Sequence, residues 1–205
     1  SEDRQLYRLY KLRIVDWPVG SPRPQAEVVH SWEQPRDQAS CLESYLEDLG
    51  DMWKSALPQP TEAPTDAFSS GRVDLLNRNV FTIDCDGARI LDDAFDFNQA
   101  EHTVSVHIAD VAAIVASNSE VDCAAAERGC ALHLRDHSGE LCFTSQMLPD
   151  GILEAASLSP DGARRAITFE FRVGGGRITE KRFFRSWVRS RAQLSFRQAT
   201  EALRG

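Results

Sequence analysis

The 205-residue sequence lacks a basic excess: 23 lysines and arginines face 31 aspartates and glutamates, a formal net charge of -8. That balance argues against a simple basic nucleic-acid-binding domain. It lacks paired cysteines. Cys41, Cys85, Cys123, Cys130 and Cys142 are odd in number and contain no Cys-x-x-Cys spacing. A disulfide framework and a structural zinc site are both disfavoured by that pattern. No apolar run approaches the roughly 20 residues of a membrane-spanning helix. The start, Ser1-Glu2-Asp3-Arg4, is too polar and acidic for a secretory leader, so reduced thiols in a cytoplasmic setting are expected. The serines, Ser145 and Ser157 among them, lack a Gly-x-Ser-x-Gly setting, and Gly174-Gly175-Gly176 lacks a following Lys-Ser/Thr. An activated serine of the α/β-hydrolase kind and a phosphate-cradling P-loop are therefore excluded. Position 1 is not Met, so either it was trimmed or the chain begins inside a longer polypeptide.

What is present suits a globular protein: 42% hydrophobic and 26% charged residues. The length fits one large domain, or a small one plus part of another. Charge is unevenly spread: residues 1–71 carry a net -5, residues 72–179 a net -8, and residues 180–205 a net +5. The basic tail holds Lys181, Arg182, Arg185, Arg189, Arg191, Arg197 and Arg204. Such a run is either a solvated face or an edge that contacts phosphates.

Residues 4–16 alternate loosely through Leu6, Leu9, Leu12 and Ile14, which leaves helix and strand both open. Pro18, Gly20, Pro22 and Pro24 make residues 17–26 a loop. Residues 40–56 read as a helix: Ser40 and Glu43 form a capping box, and Leu42, Tyr45, Leu46, Leu49, Met52, Trp53 and Ala56 follow a helical stripe. Pro58, Pro60, Pro64, Ser69, Ser70 and Gly71 mark a linker, which places a boundary near residue 71. The expectation is a small, mostly helical region over 1–71 and a second region over 72–205. In the latter, Val80–Asp84, 103–108 and 166–173 read as strands, with 177–187 as a hairpin partner after Gly174-Gly175-Gly176. Residues 121–134 and 195–203 read as helices. Strands and helices mix without a βαβ rhythm, so the fold class is α+β with a mixed sheet.

The most informative stretch is 82–94. The β-prone run Val80-Phe81-Thr82-Ile83 delivers Asp84, and a turn-like segment returns Asp92 and Asp93. Gathered carboxylates repel, and an apolar setting raises the cost. A hard divalent cation removes that cost, and Mg²⁺ accepts one or two carboxylates with water and phosphate oxygens. The pattern points to metal-assisted chemistry on a phosphate ester. Asp and Gly are also ordinary turn residues, so a plain turn is the competing reading.

Further motifs follow in order. Arg72-Val73-Asp74-Leu75 precedes Phe81-Thr82-Ile83-Asp84 and Leu91-Asp92-Asp93-Ala94. Val106-His107-Ile108-Ala109-Asp110-Val111, Asp122, Arg128-Gly129, Met147-Leu148-Pro149 and Ser157-Leu158 come next. That order resembles the N-terminal part of the catalytic (RNB) domain of the ribonuclease II/ribonuclease R family, from about Arg72 onward. The resemblance implies a processive, Mg²⁺-dependent 3′→5′ exoribonuclease that draws in single-stranded RNA and releases nucleoside monophosphates. It places the metal-binding aspartates on Asp84, Asp92 and Asp93, with Asp84 and Asp93 as direct ligands. Asp92 would help hold the metal or orient the attacking water, so Asp92 and Asp93 carry the catalytic role.

Three departures stand out. Ile90 occupies a position where the family has another aspartate, and aliphatic carbon cannot bind Mg²⁺. Asp86 is a substitute ligand or a plain turn residue. His133 stands where the family has an RNA-stacking tyrosine; it stacks on a base or is a polar residue at a helix end. The family's later arginine and glutamate have no counterpart. The chain is thus expected to be a fragment that needs the rest of its own polypeptide, or a complementary piece, to close an RNA channel.

Arg189 and Arg191 are the candidate phosphate contacts. Trp187 reads as a core residue, with base stacking as the alternative. His107 and Asp110 read as structural, with Asp110 capping or pinning the following turn. The alternative to an active nuclease is an RNB-fold module that holds RNA or protein without hydrolysis.

Overall fold

The computed structural model describes residues 9–32, 45–47, 50, 53–60, 71–135 and 139–204. These fall into two compact units: Ser1–Ala56 with Leu132–Ser145, and Leu57–Ala131 with Gln146–Gly205.

In the first unit, β1 (Leu9–Asp16) and β2 (Gln25–Trp32) form an antiparallel hairpin. The open choice for residues 4–16 thus falls to strand over 9–16. Leu12 pairs with Val28 and Ile14 with Ala26, and Arg13 forms an ion pair with Glu27 across the strands. The connecting loop turns at Gly20, whose φ of +83° suits glycine, and Ser21 N–H donates to Pro18 O at 2.9 Å. The expected mostly helical N-terminal region is therefore corrected: its largest described part is a β-hairpin. Of the helix expected over 40–56, residues 45–47 are helical. It does not run on to 56, because Gly50 takes a left-handed φ of +89°. Ser40, Glu43 and most of the linker lie outside the described residues. A second hairpin pairs β7 (Leu132–Arg135) with β8 (Leu141–Ser145).

The second unit is built on one seven-stranded sheet. Its strands are β3 (Val73–Asp74), β4 (Val80–Asp84), β5 (Asp93–Asn98), β6 (Thr103–Ala109), β9 (Arg164–Gly174), β10 (Arg177–Val188) and β11 (Ser190–Ser195). Their order is β11-β4-β5-β6-β9-β10-β3. The β11–β4 and β10–β3 pairs are parallel and the rest antiparallel. One residue, Arg189, separates β10 from β11, yet four strands lie between them in the sheet. Consecutive Cα atoms are only about 3.8 Å apart, so the sheet must curl until those two strands nearly meet.

Leu75, Val80, Ala94, Leu158, Ala166 and Val188 form one buried apolar cluster. A second gathers Ile114, Val121, Ala125, Leu148, Ile152 and Ala156, from α1 (Glu120–Arg128), α2 (Asp150–Ala156) and their neighbours. Helix α1 begins on Ser119, whose side chain accepts Asp122 N–H. It ends where Gly129 adopts a φ of +71°. The expected helix over 121–134 is thus too long, and His133 lies on strand β7 rather than at a helix end. The terminal helix α3 (Phe196–Arg204) starts with a reciprocal cap: Ser195 N–H donates to Gln198 Oε1 and Gln198 N–H to Ser195 Oγ. Among the described residues no helix is long and apolar enough to cross a membrane.

Candidate active site

Asp84 ends β4 and Asp93 begins β5. The antiparallel register sets Phe81 opposite Phe95, which draws the Asp84 end of β4 towards Asp92 and Asp93. Between them Cys85–Ala88 makes a β-turn: Ala88 N–H donates to Cys85 O at 3.1 Å and Gly87 takes a φ of +80°. Asp86 is exposed in that turn, so its turn role is plain in the geometry. Ile90 is half-buried. Gln193 Nε2, on β11, donates to Ala88 O at 3.0 Å and ties the loop down.

Asp92 is exposed, whereas Asp84 and Asp93 are half-buried. Burial pushes the Asp93 carboxyl above its ordinary value, and the charges of Asp84 and then Asp92 push it further in the same direction. Asp84 Oδ2 is buried and has no hydrogen-bond partner among the described residues. Among the described residues no three His, Cys, Asp or Glu side chains gather as a ready-made metal cluster. That does not conflict with the charge coupling. Mg²⁺ needs only one or two carboxylates, completing its shell with water and phosphate oxygens. A hard oxygen donor set, an unpaired buried carboxylate oxygen and mutual repulsion suit such a cation.

The other sequence candidates are placed as follows. His133 is exposed in the first unit, its Nδ1 3.3 Å from Thr144 Oγ1. Arg189 is exposed, and Arg191, also exposed, donates to Leu76 O at 2.8 Å. Not all of the basic tail is free for a ligand, because Arg182 pairs with Glu170 at 3.2 Å and Arg185 Nε lies 3.8 Å from Asp110. Trp187 is half-buried and lies under the guanidinium groups of Arg72 and Arg165, at 5.7 and 5.3 Å.

His107 is structural. It is fully buried, with Nδ1 2.8 Å from Thr168 Oγ1 and Nε2 2.9 Å from Asp96 Oδ2. Thr168 Oγ1 lies 2.6 Å from Ser186 Oγ, so one polar chain crosses β5, β6, β9 and β10. Asp110 makes no side-chain cap on the turn that follows it, contrary to that part of the expectation. Its Oδ2 instead takes a buried ion pair from Arg72 at 2.7 Å. The described cysteines, Cys85, Cys123, Cys130 and Cys142, are all free thiols.

Sequence reasoning missed what holds the carboxylates. Ser157, at the C-terminal cap of α2, accepts Leu91 N–H at 3.0 Å through its hydroxyl. Leu158 N–H donates to Leu91 O, and Ala109 N–H to Asp92 O, both at 2.9 Å. The motif Ser157-Leu158 was visible as a motif, but nothing in its spacing revealed that it grips a residue 66 positions away.

Comparison with known proteins agrees with the fold that carries these residues. The family model for the RNB domain matches residues 72–205. The chain is 31% identical over 216 residues to the Mus musculus "3'-5' exoribonuclease HELZ2", covering 99% of this chain and 7% of that protein. The apo form of Mycoplasma genitalium RNase R has a similar fold, with a TM-score of 0.68, 22% identity, and coverage of 95% of this chain and 31% of that one. So does yeast Ssd1, described as a pseudonuclease, with a TM-score of 0.70, 21% identity, and coverage of 96% and 26%. The chain spans 7% to 19% of the length of the first curated relatives it matches. A family match over most of the chain, on the curled sheet that carries Asp84 and Asp93, shows that this chain belongs to the RNB-domain family.

Proposed function

We propose that the chain carries the metal-binding part of a 3′→5′ exoribonuclease that hydrolyses single-stranded RNA to nucleoside monophosphates with Mg²⁺. The catalytic reading rests on residues 72–205. The observation that carries it is the register that brings the Asp84 end of β4 beside Asp92 and Asp93, with burial and the charges of Asp84 and Asp92 acting on the Asp93 carboxyl. Asp84 and Asp93 bind the metal directly, and Asp92 holds a metal ion or orients water. When bound, the divalent cation stabilises charge on the attacking and leaving oxygens of the phosphodiester. His133 stacks on a base. Arg189 and Arg191 meet phosphates; Arg191 keeps N–H donors beyond the one given to Leu76.

The test is release of mononucleotide from a 3′-labelled single-stranded RNA by the full polypeptide with Mg²⁺. Release is expected, with Asp93→Asn reducing it at least about a hundredfold, as loss of a charge-stabilising group at a reacting centre does. Ile90, half-buried where the family has a carboxylate, favours one second reading: RNA retention without hydrolysis. A filter-binding signal with no mononucleotide release would select it.

A further inference from the structure

We infer that Ser157 is a positioning residue for the Asp92-Asp93 pair, and that Ser157, Leu158 and Ser190 form a buried brace joining the two sides of the carboxylate cluster. The inference rests on the metal reading proposed above. Leu91, immediately before Asp92, is buried and gripped at both backbone groups. Its N–H goes to Ser157 Oγ at 3.0 Å, and its carbonyl takes Leu158 N–H at 2.9 Å. The carbonyl of Leu158 in turn accepts from Ser190 Oγ at 2.6 Å. Ser190 opens β11, which runs parallel to β4 and pairs Ser195 with Asp84 at its far end. One chain of hydrogen bonds thus runs from the residue before Asp92 to the strand beside Asp84.

The chemistry explains why hydroxyls serve here. Leu91, Ser157 and Ser190 are buried, so an unpaired amide among them has no water to turn to. A backbone carbonyl from α2 would have to leave its own helix to reach Leu91. The serine side chain reaches instead, while its backbone N–H still closes the helix on Leu153 O at 2.9 Å. Like charges at Asp84, Asp92 and Asp93 push outward, and the brace opposes that motion before any cation binds. Partners that orient ligands in this way commonly govern metal affinity by about 10–100-fold.

The test is Mn²⁺ titration of the 205-residue chain, read as free Mn²⁺ by electron paramagnetic resonance. Ser157→Ala should raise the Kd at least about tenfold, and Ser157→Thr, which keeps the hydroxyl, should restore it. Ala125→Gly in α1, chosen to lower Tm outside the brace, should leave the Kd at the wild-type value. In the wild type, Mn²⁺ should slow hydrogen exchange at the Leu91 amide, a measurement that stands even where Ser157→Ala fails to fold. Tight Mn²⁺ binding by Ser157→Ala, or a Leu91 amide indifferent to Mn²⁺, overturns the brace alone. A wild-type chain that binds no Mn²⁺ overturns the metal reading and the brace with it.

Discussion

Two aspartates three residues apart respond to pH in opposite senses. Burial, Asp84 and Asp92 raise the folded-state pKa of Asp93. Between the ordinary carboxylate value and that raised one, the folded chain holds a proton that the unfolded chain releases. Stability therefore falls as pH rises through this window. Asp93→Asn removes the penalty, so the metal-free variant should melt a few degrees higher than wild type at neutral pH. The two curves should converge in acid, as calorimetry over a pH series would show. On the proposed metal reading the same variant is expected to lose mononucleotide release, so one carboxylate would lower stability while supporting the proposed activity. Asp96 is the reverse case. Burial pushes it up, but the His107 hydrogen bond and Arg78, at 3.3 Å, hold it below the ordinary range. Its stabilisation is complete above the unfolded value and is lost as pH falls through the lower, folded one. Asp96→Asn should cost about 2–3 kcal/mol at neutral pH and flatten the acid limb of the denaturation profile. The Asp84, Asp92 and Asp93 candidates were legible because they share one short stretch. The Asp96–His107–Thr168–Ser186 chain was not, because its members sit on four strands spread across ninety residues of sequence.

The β9–β10 hairpin shows at the scale of elements what local chemistry can specify. Gly174 pairs with Arg177, and Gly175 and Gly176 take φ values of +57° and +72°. A two-residue loop with both residues left-handed matches the natural twist of the strands. Gly176→Val should cost about 1–2 kcal/mol, because a β-branched residue resists that conformation, while Gly176→Asn should be nearly neutral. Chemical denaturation of both variants checks the contrast. This hairpin was readable because alternation and turn residues agreed. The N-terminal strands were not, since Leu6, Leu9, Leu12 and Ile14 satisfy a helical and an extended period almost equally. The C-terminal boundary of α1 is hidden in the sequence for a related reason. The alanines favour helix, but Gly129 costs nothing in the left-handed cap and ends it early.

Across the second unit as a whole, alternation reveals that the sheet has two faces but not which one is buried. Strand β6 buries Thr103, Ser105 and His107 and leaves Val104, Val106 and Ile108 on the opposite side. Register carries that side across the sheet. Phe95, Val106, Phe169 and Phe183 form one row, and Phe97, Val104, Phe171 and Lys181 the next. Asp93, Ile108, Ile167 and Arg185 form a third row, so the candidate metal ligand lies at the margin of an apolar field. Phe97 is 57% exposed and Phe183 65% exposed. A contiguous apolar patch of this kind binds hydrophobic probes and promotes association. The 205-residue chain should therefore enhance the fluorescence of 8-anilinonaphthalene-1-sulfonate at neutral pH while keeping its thermal transition. It should also elute from a sizing column in a concentration-dependent position. The double variant Phe97→Lys, Phe183→Lys should lose most of both effects with little change in Tm, since neither ring is buried. Unchanged dye binding in that variant would mean that the rows do not act as one surface, and that the probe reads the exposed apolar residues of the β1–β2 hairpin instead.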